Sequence, residues 1–324
     1  MASNELFLAV QSTDLGPLIK RAEEFVHAAK APATLKAYRS DWRDFEVWCQ
    51  GHRLQALPAV PETVALYIAD LASCCASGTI TRRLTAITKA HEAKGYSDSP
   101  ATTRHAIVGE TLKGIRRTIG TAQKGKDPLL TIQIRKMIEF CPNGLLGMRD
   151  RALLLCGFAG AFRRSELAEV LVTDLDFTED GVVINLRKSK TDQECAGREV
   201  GLPWGSNPDT CPVRALRHWL DVAGISEGGS AFRAVDRHGR VSRLGLNKDS
   251  IGTIVKRAAL RAGFSVDALA GHSLRSGHAT QAARNGVSEF VIMKQTGHKT
   301  TVMLRKYIRK GEIFQQNPAA GLGL

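Results

Sequence analysis

Apolar residues recur at helical spacing through the first 120 positions. Between Asp14 and Ala29 they fall at Leu15, Leu18, Ile19, Ala22, Phe25 and Val26, steps of three and four that line one face of a helix. A second helix opens near Pro32-Ala33-Thr34 and runs through TLKAYRSDWRDFEVWC. Its inner stripe is Leu35, Tyr38, Trp42, Phe45 and Trp48, with Lys36, Arg39 and Arg43 outside. Pro58 and Pro61 break the chain before ETVALYIADLA, because proline cannot continue a helix but starts one well. Thr79 or Thr81 opens ITRRLTAITKAHEAKG, and a fifth helix spans roughly Arg104 to Ile119. No strand pattern interrupts this series.

GTAQKGKDPL, residues 120–129, is polar, basic and glycine-containing, the composition of a linker. Beyond it TIQIRKMIEF and MRDRALLLCGFAG are helical, and Arg163-Arg164-Ser165-Glu166-Leu167 leads into another helix. The period then changes. Val182–Leu186 and Glu199–Leu202 alternate as two antiparallel strands joined by a polar hairpin. From Pro212 onward the pattern is helical apart from loops at 225–230 and 236–245. The chain is thus expected to be mainly α. A helical amino-terminal domain covers residues 1–120, a linker 121–128, and a mixed α/β, mostly helical domain with a small antiparallel sheet 129–324.

Composition narrows the class. Apolar content of 43% and charged content of 24% suit packed cores and argue against disorder. Net charge is +13, with 17 basic against 12 acidic residues over 1–126 and 28 against 20 over 127–324. A surplus in both halves fits a protein that surrounds a polyanion. The seven cysteines, Cys49, Cys74, Cys75, Cys141, Cys156, Cys195 and Cys211, include no CxxC pair and read as reduced, buried thiols rather than disulfides or a zinc site. No apolar run reaches membrane-span length, and MASNELFLAV has no basic stretch ahead of its apolar run, so a cytoplasmic protein is expected.

The chemistry concentrates near the carboxyl end, in GHSLRSGHAT from Gly271 and KQTGHKTTVMLRKYI ending at Ile308. His272 and Arg275 lie three apart and project from one helical face. His298 follows in a Thr-Gly-His turn, and Tyr307 comes nine residues later between Arg305, Lys306, Arg309 and Lys310. A guanidinium fork matches two phosphate oxygens, and a phenol among cations can be made acidic enough to attack phosphorus. Tyr38 and Tyr67 lie on apolar helical stripes and read as core, as does His278. The remaining histidines, His27, His52, His91, His105, His218 and His238, show no ligand spacing, so neither metal nor other cofactor is expected.

This arrangement resembles the active site of the tyrosine recombinases, the phage integrase family of DNA strand-exchange enzymes. The resemblance covers nearly the whole chain. It implies that Arg163 of GAFRRSEL clamps the phosphate, with Arg164 as rival, and that Glu166 orients the site. Lys190 of LRKSKTDQ, with Lys188 as rival, would protonate the departing 5′ oxygen. His272 would accept or orient a proton, Arg275 clamp the phosphate, His298 bond a non-bridging oxygen, and Tyr307 attack. Thr296 stands where the family usually has leucine, and the hairpin from Lys188 to Arg198 is long.

The resemblance further implies an amino-terminal core-binding (SAM-like) domain that grips one side of the duplex. Arg39, Arg43, Arg82, Arg83, Lys89, Lys113, Arg116 and Arg117 are its candidate phosphate contacts. The expected activity is site-specific recombination of double-stranded DNA, through a 3′-phosphotyrosyl intermediate and a Holliday junction, by a homo-tetramer on two sites. No membrane or small-molecule substrate is implied. The tail IRKGEIFQQNPAAGLGL is expected to dock on a neighbouring protomer. Two rivals stand beside this reading: a type IB topoisomerase, and a catalytically silent sequence-specific DNA-binding protein.

Overall fold

The structure is a computed structural model that describes residues 15–29, 31–96, 102–122, 125–187, 197–226 and 228–312. It divides into two units, Met1–Lys124 and Gly125–Leu324. The tail beyond residue 312 and the hairpin tip at 188–196, with Lys188, Lys190 and Cys195, lie outside the described residues.

The first unit holds helices α1 (Gly16–Ala28), α2 (Pro32–Gly51), α3 (Pro61–Leu71), α4 (Ser77–Ala93) and α5 (Ala106–Ile119). Proline occupies the first turn of α1, α2 and α3, where its missing N–H costs nothing and its fixed φ favours the helix. Phe45, Val64, Tyr67, Ile68, Ile80, Leu84, Ile87, Val108 and Ile115 form the core. Helix α4 starts at Ser77, two residues before the earlier of the two expected starts.

The α2 stripe is less regular than its spacing suggests. Phe45 and Cys49 are buried, Trp42 and Trp48 only half so, and Asp41 is buried among them. Burial raises the Asp41 pKa although Arg82 and Arg83 pull it down. Its carboxylate accepts from Arg82 at 2.6 Å, while Arg83 also reaches Asp44 and the Tyr67 hydroxyl.

The second unit begins with α6 (Thr131–Glu139), α7 (Leu145–Ala159) and α8 (Arg164–Glu169). A three-stranded antiparallel sheet follows in the order β1 (Leu175–Phe177), β2 (Gly181–Leu186), β3 (Arg198–Pro203), with Ile184 opposite Val200. Then come α9 (Pro212–Val222), the hairpin β4 (Arg233–Val235) and β5 (Val241–Gly245), and helices α10 (Lys248–Arg261), α11 (His272–Arg284), α12 (Glu289–Thr296) and α13 (Thr301–Glu312).

The β2–β3 pairing matches the alternation seen in the sequence. Strand β1 and the β4–β5 hairpin do not, and the region after Pro212 is therefore not purely helical. These strands have three to five residues, and β5 presents Arg243 and an exposed Leu244, too short and too polar to print a period.

Helix α7 is buried nearly all round, its paired Arg149 and Asp150 included, and its Ala152–Cys156 stretch serves two cores. One lies under the sheet with Val182, Ile184, Val200, Leu202 and Trp219. The other joins Leu129, Ile134, Met137, Leu154, Val255 and Leu274 beneath α11. Helix α11 approaches the chain at 129 so closely that a Cβ on Gly277 would stand 1.9 Å from the Leu129 carbonyl oxygen. Gly277→Ala is expected to destabilise this unit by about 1–3 kcal/mol, since the obstacle is the Leu129 backbone and cannot swing aside. Chemical denaturation would reveal it as a lower midpoint with unchanged slope.

Cys49, Cys156 and Cys211 are buried thiols, whereas Cys141 and Cys75 are half-buried and Cys74 is exposed. The expectation of uniformly buried cysteines thus fails at the loop after α3. Among the described residues, no helix is long and apolar enough to cross a membrane.

Candidate active site

Two helix starts, two left-handed residues and the last described helix bring the chemistry together in the second unit. Helix α11 starts at His272, so Arg275 lies one turn inside and points the same way. Arg275 is 1% exposed, a large cation almost wholly withdrawn from water. Its Nη1 donates to the Ala161 carbonyl at 2.8 Å, and its Nη2 lies 3.4 Å from His298 Nε2. Burial, seconded by the Arg163 charge, lowers its pKa to about 10, so it stays charged at neutral pH.

Ala161 has φ +50°, a left-handed conformation that costs an alanine on the order of 1 kcal/mol. That turn breaks the chain between α7 and α8, the point at which the sequence passes from one helix into another. It aims one carbonyl at Arg275 and sets Arg163 at the head of α8.

Arg163 is the residue just ahead of α8, and its backbone N–H donates to Glu166 Oε2 at 2.8 Å. The same carboxylate pairs with the Arg163 side chain and with Arg198 Nη2 at 3.5 Å. Glu166 is thereby a buried anchor for two cations. Arg164, the rival, turns outward to Asp249 at 3.4 Å and is half exposed.

His298 arrives through Gly297, whose φ of +65° makes the left-handed cap of α12. The imidazole is 7% exposed. Burial first, then Arg275 and Arg163, lower its pKa to about 3, so it is neutral in the free protein. His278, with its ring against Phe158, is likewise lowered, to about 4, by burial.

Both histidines bind protons more weakly folded than unfolded, where the pKa is near 6.5. Their stabilising effect is complete above pH 6.5 and is lost as pH falls toward 4 and 3. Unfolding free energy measured in denaturant at pH 7, 6, 5 and 4 is expected to decline more steeply in the wild type than in His278→Asn.

Tyr307 projects from α13, with Leu304 buried one turn earlier against Ala279, Ala283 and Ile292. The phenol oxygen lies 2.7 Å from His272 Nε2. The Tyr307 ring centroid is 5.8 Å from that of His298 and 5.9 Å from that of His272. Arg275 and Arg163 both pull the phenol pKa down, yet burial outweighs them and raises it. The expectation that cations alone acidify this phenol is therefore corrected. In the free protein the proton is held by burial, and the group placed to take it is the exposed imidazole of His272.

Of the expected site, Arg163, Glu166, His272, Arg275, His298 and Tyr307 converge, while Lys190 falls outside the described residues. Arg198 joins them unanticipated: it sits at the start of β3, donates to the Gln295 carbonyl at 2.9 Å and bonds Glu166. Its charge is half-hidden, and desolvation lowers its pKa.

In the first unit, Arg39, Arg43 and Arg117 are exposed. Lys89 and Lys113 sit beside Glu92 and Glu110, and Arg116 donates to Thr81. Arg83 is 17% exposed and tied to Asp41, Asp44 and Tyr67. It is turned inward, chiefly onto Asp44 and the Tyr67 hydroxyl, and does not fit the role of a phosphate contact.

Comparison with known proteins gives concordant findings. Residues 129–312 match the model of the phage integrase family. An integrase/recombinase described as a XerD homolog from Selenomonas ruminantium is 42% identical over 92% of this chain and 87% of its own length. A XerH site-specific recombinase in a post-cleavage complex with a palindromic difH substrate aligns with TM-score 0.60 at 17% identity, covering 82% of this chain and 72% of that one. A lambda integrase tetramer bound to a Holliday junction aligns with TM-score 0.57 at 15% identity, over 90% and 76%. At such identities the two structures speak for the fold alone.

Proposed function

The chain belongs to the phage integrase family, the tyrosine recombinases, and from that premise we propose that it recombines double-stranded DNA at specific sites through a covalent 3′-phosphotyrosyl intermediate. The observation that carries this reading is the 2.7 Å contact of Tyr307 Oη with His272 Nε2, made within the field of Arg275 and Arg163. A nucleophile, a proton acceptor and two phosphate clamps are in one place.

Phosphoryl transfer without a metal needs little else. Tyr307 attacks the scissile phosphorus as His272 takes the phenolic proton. Arg163, Arg275 and His298 face the non-bridging oxygens, on which charge grows. Lys190 supplies the proton for the departing 5′ oxygen. Each step is reversible, because the phosphotyrosyl bond keeps the energy of the phosphodiester, so a 5′-hydroxyl from a partner duplex can reverse the cleavage.

Four protomers on two sites would exchange strands pairwise through a Holliday junction, the state in which the lambda integrase tetramer was seen. Residues 1–120 serve as the core-binding domain and 129–324 as the catalytic domain. Arg39, Arg43, Arg82, Lys89, Lys113, Arg116 and Arg117 remain as backbone contacts of the former.

A two-plasmid assay tests the reading. Recombinants should form only when both plasmids carry the cognate site, without added metal or nucleotide. Relaxation of a plasmid that lacks any site would favour a topoisomerase, and salt-sensitive binding with no strand cleavage would favour a silent binder.

A further inference from the structure

Thr296 makes two hydrogen bonds from one hydroxyl and is wholly buried. Its Oγ1 lies 2.7 Å from the Ile292 carbonyl oxygen and 2.7 Å from His298 Nδ1. A hydroxyl owns a single proton. The carbonyl can only accept, so that proton goes to Ile292, and Nδ1 must then be the nitrogen that donates to Oγ1. The other side of the ring gives the same answer independently. Arg275 Nη2 lies 3.4 Å from His298 Nε2, and a guanidinium can only donate, so Nε2 is the bare acceptor.

We propose that Thr296 is a positioning residue that fixes the plane of the His298 ring and keeps its proton on Nδ1 in the empty site, leaving Nε2 turned toward Arg275 and the seat of the phosphate. The proposal rests on the recombinase reading only for what His298 does next: a bare Nε2 cannot donate to a phosphate oxygen, so it takes up a proton as the anionic phosphate enters, while Nδ1 keeps its bond to Thr296. The tautomer itself follows from this chain's own geometry. The left-handed turn at Gly297 folds His298 back over the last turn of α12, so the two side chains meet although only one residue separates them. The imidazole is too buried to find a water in place of this partner. Without Oγ1 the Nδ1–H would face aliphatic surroundings, and the ring would turn or change tautomer to escape them.

The test has two arms. In the first, nitrogen chemical shifts of ¹⁵N-histidine-labelled protein report which ring nitrogen of His298 carries the proton. The wild type should show a protonated, slowly exchanging Nδ1, Thr296→Val should lose that signature, and Thr296→Ser should restore it. In the second, rates of covalent adduct formation on a nicked DNA substrate are compared. Thr296→Val should slow the step on the order of tenfold at unchanged DNA affinity, and Thr296→Ser should recover most of it.

A wild-type ring protonated at Nε2 would overturn the proposal whether or not any variant folds. So would a folded Thr296→Val protein that reacts at the wild-type rate. A wild type with protonated Nδ1 that forms no adduct at all would instead sink the recombinase reading and leave the tautomer assignment standing.

Discussion

Tyr307→Phe is expected to bind DNA as the wild type does and to form no covalent adduct, with cleavage lowered on the order of 10⁴-fold or more. Only the nucleophile is removed. The ring keeps its packing beside Leu304, Ala279 and Ile292, so the fold has no reason to change. The lost hydroxyl also ends the 2.7 Å bond to His272, but that imidazole is exposed and regains a partner from water. Stability should therefore move by well under the effect on rate. Gel retardation and adduct formation, measured on the same DNA, separate binding from chemistry. An adduct persisting in the phenylalanine variant would mean that another side chain attacks.

Arg275→Lys is expected to lower cleavage on the order of 10²–10³-fold. The positive charge survives, but the fork does not. Arginine here spends Nη1 on the Ala161 carbonyl and sets Nη2 beside His298, while still facing Tyr307 closely enough to pull its pKa down. A lysine offers one compact ammonium in place of this planar pair. It can reach one of those partners, not hold all in register.

The lysine variant is preferable to alanine, which would also open a cavity and strip the strained Ala161 turn of its donor. Loss should fall on the rate of adduct formation at saturating DNA more than on affinity. A variant that cleaves within a fewfold of wild type, at equal melting temperature, would show that Arg275 is structural and not a phosphate clamp.

How much of this could be read from the chain depends on distance along it. His272 and Arg275 are neighbours on one helical turn, and Tyr307 stands among cations in a segment that lacks other aromatic rings. Such local patterns survive in one dimension. The β2–β3 hairpin was likewise legible, because each strand alternates for six residues against one core.

Arg198 was not legible. Its partner Glu166 lies 32 residues away, and nothing local tells a buried arginine from a solvated one. Arg83 shows the same limit in reverse. On α4 it resembles any exposed basic residue, and only its partners Asp44 on α2 and Tyr67 on α3 turn it inward. The raised pKa of Tyr307 was invisible for a related reason, since neighbouring charges can be counted in a sequence but desolvation cannot. The β4–β5 hairpin escaped because its strands have three and five residues and β5 is mostly exposed, too little to print an alternation.

The central claim is that one phenolic oxygen, gathered with His272, Arg275, Arg163 and His298, takes the DNA phosphate. Peptide mapping of the adduct trapped on a nicked cognate substrate tests this most directly. The expected result is a peptide spanning Thr301–Glu312 that carries the 3′-phosphate of the cleaved strand on Tyr307, with a free 5′-hydroxyl on the released end. A phosphate found on any other side chain, or a 5′-phosphate linkage, would contradict it.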